Sequence, residues 1–276
     1  MQAMNFTRRR ILITGASSGL GLAMARLLAN RDQADLVLVA RRLDRLNELK
    51  AELEGSTGIS CQVIAADLSK PQDVERVFTQ ATAAGEIYGV ILNAGVTHFG
   101  NHLDMEWSAF EAMLATNVTS VVRLVSLFTP YLLEQGQGGG VMLVSSMAGL
   151  LPVPFQSAYA GTKAFITNFA QSLAEELRGQ PVSVTVFSPG GIDTAMTRDS
   201  QLRYFENTAL LQDVDSCARD GLEAMRRRDG IAVPGLLNRA QLFATRLAPR
   251  KLITFITGTT YRKALKAGAA GQEKTV

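Results

Sequence analysis

The chain has 276 residues, 47% of them hydrophobic, which is enough to bury a large core in one or two domains. A net charge of +3, from 28 basic and 25 acidic residues, is too mild for a nucleic-acid footprint. Cys61 and Cys217 make no disulfide framework, and with only His98 and His102 beside them little room is left for a zinc site, so no metal is expected.

At the start, Arg8-Arg9-Arg10 before Ile11-Leu12-Ile13 imitates the charged and apolar regions of a secretion signal. The apolar run is broken at once by Thr14-Gly15-Ala16-Ser17-Ser18-Gly19, and the helix beyond carries Arg26, Asn30 and Arg31, so secretion is rejected. No stretch approaches roughly 18 uninterrupted apolar residues, so no membrane-spanning helix is expected.

Ile11-Leu12-Ile13 reads as a short strand, Thr14 to Gly21 as a glycine turn, and Leu22 to Leu28 as a helix. Strand, glycine turn and helix in that order suit a pyrophosphate: glycines allow close backbone approach, and the helix N-terminus offers N–H groups. Asp35 to Ala40 is the second strand, followed directly by Arg41-Arg42. In dinucleotide folds an acid at this point accepts from the 2′-hydroxyl of NAD, whereas arginine suits the 2′-phosphate of NADP. Here there is arginine and no acid.

Leu43 to Leu53 reads as an amphipathic helix, and Ser60 to Ala66 as a third strand ending in Asp67-Leu68. Pro71 to Ala83 is a helix with proline at its first turn. Tyr88 to Leu92 is a fourth strand, ending in Asn93-Ala94-Gly95. Strands alternating with helices predict a doubly wound α/β fold, a parallel sheet with helices on both faces. Glu106 to Thr116 and Asn117 to Leu133 read as helices, with Asn117 where the second begins or bends. Val141 to Val144 is a buried strand ending in Ser145-Ser146, and Val182 to Phe187 another, ending in Ser188-Pro189-Gly190-Gly191.

Between those strands lies Tyr159-Ala160-Gly161-Thr162-Lys163, opening a helix marked by Phe165, Phe169, Leu173 and Leu177. Residues four apart share a helix face, so a phenol and an ammonium lie side by side. A nearby positive charge lowers a tyrosine pKa, and a tyrosine tuned that way exchanges protons with a carbonyl or alcohol oxygen.

Together these segments resemble the short-chain dehydrogenase/reductase family, of Rossmann type. The resemblance rests on Thr14-Gly15-x-x-x-Gly19-x-Gly21, Asp67, Asn93-Ala94-Gly95, Asn117, Ser145-Ser146, Tyr159-x-x-x-Lys163, and Pro189-Gly190 with Thr194, in the family's order over residues 8 to about 195. It implies that Tyr159 is the proton donor or acceptor and that Lys163 binds the nicotinamide ribose and lowers the Tyr159 pKa. It implies that Ser146 rather than Ser145 holds the substrate oxygen, and that Asn117 holds water in a relay toward Lys163. Asp67 with Leu68 would meet the adenine, Asn93, Ala94 and Gly95 the adenosine side, and Thr194 the carboxamide. Gly15, Ser17, Ser18, Gly19, Leu20, Gly21, Pro189, Gly190 and Ile192 would complete the cofactor site, with Arg41 and Arg42 on the phosphate of NADP(H).

The expected activity is therefore NADP(H)-dependent interconversion of a carbonyl and an alcohol. The alternatives are an epimerase or dehydratase that keeps its cofactor, and a non-catalytic dinucleotide sensor or scaffold. Ala195 to about Gln212 is expected to cover the substrate. Met147, Leu150, Leu151, Val153, Phe155 and Met196 would give apolar walls suited to a hydrophobic ketone. Residues 1–234 form one domain. Residues 235–276 form a basic amphipathic extension that lies on an anionic membrane, packs on a partner subunit, or closes its own domain. A homodimer or homotetramer, cytoplasmic or peripheral to a membrane, is expected.

Overall fold

A computed structural model describes residues 1–194 and 211–272. The expected substrate-covering segment, Met196 included, falls almost wholly outside the described residues. Seven strands form one parallel sheet: β1 (Arg10–Thr14), β2 (Asp35–Ala40), β3 (Cys61–Ala65), β4 (Gly89–Leu92), β5 (Gly140–Val144), β6 (Ser183–Phe187) and β9 (Ile231–Ala232). Their order is β3-β2-β1-β4-β5-β6-β9. The strand order reverses between β1 and β4, which pair directly, and this switch opens a crevice at the carboxyl ends of the strands. β4, β5 and β6 are buried at every position, as expected of apolar strands covered on both faces. A separate two-stranded ribbon joins β7 (Gly191–Ile192) to β8 (Leu211–Gln212).

The covering helices are α1 (Gly19–Asp32), α2 (Leu43–Thr57), α3 (Pro71–Ala83), α4 (Trp107–Leu114), α5 (Ser120–Gln135), α6 (Ser157–Glu176) and α7 (Val214–Arg227). They divide the core in two. Met24, Leu28, Leu36, Leu38, Phe187, Leu222 and Met225 pack on one face, and Val37, Val77, Val90, Phe128, Leu143 and Ile166 on the other. Helix α1 starts at Gly19 rather than Leu22, so its unsatisfied N–H groups lie at the glycine turn itself.

Helices α4 and α5 join through a π-helical turn, Ala115–Thr119, into a run over Trp107–Gln135. That 29-residue run is long and apolar enough to cross a membrane by length and composition, because its few charged residues are outweighed by many apolar ones. In the fold its Val121, Leu124, Val125, Phe128 and Leu132 are buried against the sheet. Helix α6 forms, but Phe165 is half exposed and stacks on Phe169 with ring centroids 6.1 Å apart. Ala160, Lys163, Ile166, Thr167 and Ala170 are buried, and Phe169, Leu173 and Leu177 pack partly buried against the same core.

After β9 come α8 (Leu236–Leu247) and α9 (Arg250–Gln272). Asn238 on α8 is buried, donates to the Pro234 carbonyl at 2.9 Å and lies against Gly190. Ile253, Gly258 and Ala264 on α9 are buried against the domain.

Candidate active site

The glycine turn is braced from the neighbouring strand. The Thr14 hydroxyl accepts from the backbone N–H groups of Asn93 and Ala94, each at 3.0 Å. The Asn93 amide donates to the Thr14 carbonyl at 3.1 Å and the Gly15 carbonyl at 3.4 Å. Asn93 therefore holds the turn. Gly15 has φ +70°, and a Cβ there would lie 2.8 Å from Asn93 Nδ2. At Gly21 a Cβ would lie 2.4 Å from the Gly15 carbonyl oxygen. Both positions require glycine, one for its left-handed backbone and both for close approach. Leu20 and Leu68 are buried, and Ser18 is exposed just before α1. Thr194 lies opposite Gly19, where a Cβ would come 3.4 Å from its methyl group.

At the end of β2 the Arg42 guanidinium donates to the Ser17 hydroxyl at 3.2 Å, tying the basic pair to the glycine turn. The Asp67 carboxylate, at the end of β3, accepts from the Ser69 N–H at 3.1 Å and its hydroxyl at 2.8 Å. Desolvation works to raise the Asp67 pKa, but the Ser69 bonds and the charge of Arg41 hold it below its ordinary value. A glycine cradle at a helix N-terminus, with two guanidinium groups beside it, fits a dinucleotide.

Asn117 is buried in the π-helical turn and is fully bonded. Its side-chain oxygen accepts from Val96 N–H at 2.9 Å, and its amide donates to the Val96 carbonyl at 2.9 Å and to Thr162 Oγ1 at 3.1 Å. A Cβ at Gly95 would lie 3.4 Å from both Asn117 Oδ1 and Lys163 Nζ, so these three positions meet. The buried Lys163 ammonium donates to the Val144 carbonyl at 2.9 Å. Its Nζ lies 5.8 Å from the centroid of the Tyr159 ring. Burial pulls the Lys163 pKa down to about 8.

The two serines after β5 have different surroundings. The Ser145 hydroxyl is buried between the Lys163 carbonyl at 2.9 Å and Thr167 Oγ1 at 2.7 Å, which locks β5 to α6. The Ser146 hydroxyl accepts from Ala148 N–H at 3.1 Å and bonds to Tyr159. Burial raises the Tyr159 pKa, and the bond to Ser146 acts against that rise. The expected lowering by Lys163 is not observed, because desolvation outweighs other influences on the phenol and the ammonium is directed to Val144. Pro189 joins the same floor, its carbonyl accepting from Met147 N–H at 2.8 Å.

A sequence profile described as short chain dehydrogenase matches residues 9–204. The chain belongs to the short-chain dehydrogenase family. An uncharacterized oxidoreductase of Mycobacterium tuberculosis is 38% identical over 233 residues, covering 83% of this chain and 89% of that protein. Among solved structures, a 7β-hydroxysteroid dehydrogenase has a TM-score of 0.83 at 25% identity, covering 94% of this short-chain dehydrogenase and all of the other chain. A short-chain dehydrogenase from Sphingobium yanoikuyae, in complex with NADPH, has a TM-score of 0.76 at 30% identity, with 89% and 95% of the two chains covered.

One residue of this dehydrogenase's site has no signal in its motifs. Tyr261, on α9, lies with its ring centroid 5.5 Å from that of Phe99. Its pKa is raised by burial and further by the charge of Tyr159, so the two phenols are neighbours. Arg262 lies over the Phe155 ring at 5.9 Å, and a side chain at Gly258 would meet Pro154 at 3.3 Å. Helix α9 thus packs on Phe99, Pro154 and Phe155 and brings Tyr261 within electrostatic reach of Tyr159.

Proposed function

We propose that this protein is an NADP(H)-dependent oxidoreductase that interconverts a ketone or aldehyde and the corresponding alcohol on a hydrophobic substrate. The observation that carries this reading is the Ser146–Tyr159 hydroxyl pair, set beside buried Lys163 at the switch in strand order. The dinucleotide, when bound in the glycine turn, supplies or accepts the hydride. Ser146 holds the substrate oxygen by its hydroxyl, and Tyr159 gives that oxygen a proton during reduction. The buried phenol, bonded to Ser146, is placed to give a proton in reduction and to take one back in oxidation. Lys163, held between the Val144 carbonyl and Gly95, offers its ammonium to the ribose.

Preference for NADP(H) is supported by Arg41, whose charge acts on Asp67, and by Arg42, bonded to Ser17. A 2′-phosphate takes charge-assisted bonds from such a pair. A hydrophobic substrate is supported by Tyr261, which interacts with Tyr159 and packs its ring on Phe99, and by the likeness to a hydroxysteroid dehydrogenase.

The test is a panel of apolar ketones and the matching alcohols, assayed for net consumption of NADPH or NADP. The expected result is turnover of at least one apolar ketone with NADPH. An altered product without net change in the dinucleotide would overturn the redox reading and assign an isomerising or dehydrating reaction instead.

A further inference from the structure

The tail helices carry two opposed faces. Inward, Ile253, Gly258 and Ala264 are buried and Tyr261 reaches the site. Outward, α8 presents Leu236, Phe243 and Leu247, spaced seven and four residues apart and so on one stripe. They are 83%, 64% and 76% exposed. On α9, Leu252, Phe255 and Ile256 are 48%, 70% and 54% exposed. Exposed Lys263 and Lys266 extend that stripe toward the C-terminal half of the helix. Both helices border one small cavity, α8 through Leu242 and Thr245 and α9 through Arg250 and Ile253. Those residues lie on the faces opposite the two stripes, so both stripes turn away from the domain.

The charge of this segment is one-sided. Residues 230–272 contain seven Arg or Lys and no Asp or Glu, whereas the rest of the chain has 21 basic against 25 acidic residues. We infer that the outer face of α8 and α9 docks on an anionic phospholipid surface. Large exposed apolar side chains with Lys263 and Lys266 on the same outward stripe, in a segment without Asp or Glu, suit a helix lying in the headgroup region, with apolar groups inserted and cations on the lipid phosphates. A second copy of the chain fits less well. A two-fold pair sets the same patch on itself, and here that opposes positive charge to positive charge. The inference is independent of the reaction proposed above.

The experiment uses the full chain, sedimented with vesicles of phosphatidylcholine alone and with vesicles of equal parts phosphatidylcholine and phosphatidylglycerol. Binding to the anionic vesicles is expected, with little binding to the neutral ones, and it weakens as salt is added. The pair Lys263→Gln and Lys266→Gln weakens it about 25-fold, from about fivefold for each charge removed. The pair Phe243→Ser and Phe255→Ser also weakens it, and melting temperatures near the parent's show that both variants are folded. No binding to anionic vesicles, equal binding to both kinds, or variants that bind like the parent would each overturn the inference. A dimer dissociated by Phe243→Ser and Phe255→Ser, without vesicle binding, overturns it in favour of a second copy.

Discussion

The Lys163 ammonium donates to the Val144 carbonyl at 2.9 Å inside the protein. Burial brings its pKa from 10.5 to about 8, so between these values the unfolded chain holds a proton that the folded chain has lost. Stability therefore rises with pH across that window. Below it both states are charged, and the buried ammonium costs about 3 kcal/mol, from 1.36 kcal/mol per pKa unit. Lys163→Met is expected to be more stable than the parent at neutral pH, with the difference shrinking toward the top of the window. Unfolding free energies of both proteins over pH check this. A difference that does not change with pH rules out a titrating buried ammonium.

Tyr159→Phe is expected to lower kcat on a confirmed ketone by about 10²–10⁴-fold while leaving dinucleotide affinity near the parent's. Because burial raises the phenol's pKa, the oxidation of an alcohol, which needs the phenolate, should speed up with pH into the alkaline range. Reduction should slow there. Rate against pH in both directions, together with NADPH titration of the variant, measures these outcomes. Near-parental kcat in the variant would remove Tyr159 from proton transfer.

Arg41→Asp is expected to cut the preference for NADP(H) over NAD(H) by about ten- to hundredfold, as loss of a charge-assisted contact of about 1.5–3 kcal/mol implies. Arg42→Ala should have a smaller effect and also loosen Ser17, to which Arg42 donates at 3.2 Å. The ratio of kcat/KM for the two cofactors is the readout. An unchanged ratio in Arg41→Asp moves the phosphate contact elsewhere.

Asn117→Ala leaves the Val96 N–H and carbonyl without their partner. Each unsatisfied group costs about 1–3 kcal/mol, so a loss of about 2–6 kcal/mol and a melting temperature lower by several degrees are expected. Loss of turnover with an unchanged melting temperature would instead assign Asn117 to the proton relay alone.

Tyr261→Ala is expected to raise KM for a bulky ketone about fivefold with kcat nearly kept, as removal of about 1 kcal/mol of ring contact implies. Equal kinetics in parent and variant would take Tyr261 out of substrate binding.

The parallel sheet and the turns at its carboxyl edge were legible in the sequence because apolar runs and glycine turns are local signals. Asp35–Ala40 is the observed strand, and the periodicity of Phe165, Phe169, Leu173 and Leu177 marks a helix that forms, with the last three packed partly buried against the core. The inward face is built around small Ala160 and Ala170 and around Lys163, a charged residue whose burial only the tertiary fold explains. The direction of the Tyr159 shift was missed for a related reason, since helical spacing brings the ammonium near but says nothing of desolvation or the Val144 carbonyl. Thr14 as the brace between β1 and β4, and Tyr261 as a neighbour of Tyr159, depend on contacts 79 and about a hundred residues apart in the chain.

Helix α9 closes on Phe99, Pro154 and Phe155 from a position in the chain beyond every strand of the sheet. During synthesis the sheet and the glycine turn can assemble before this helix has emerged. A nascent chain can therefore acquire its dinucleotide before Tyr261 comes near Tyr159, and premature termination ahead of α9 would leave a product able to hold cofactor but poorly able to choose its substrate.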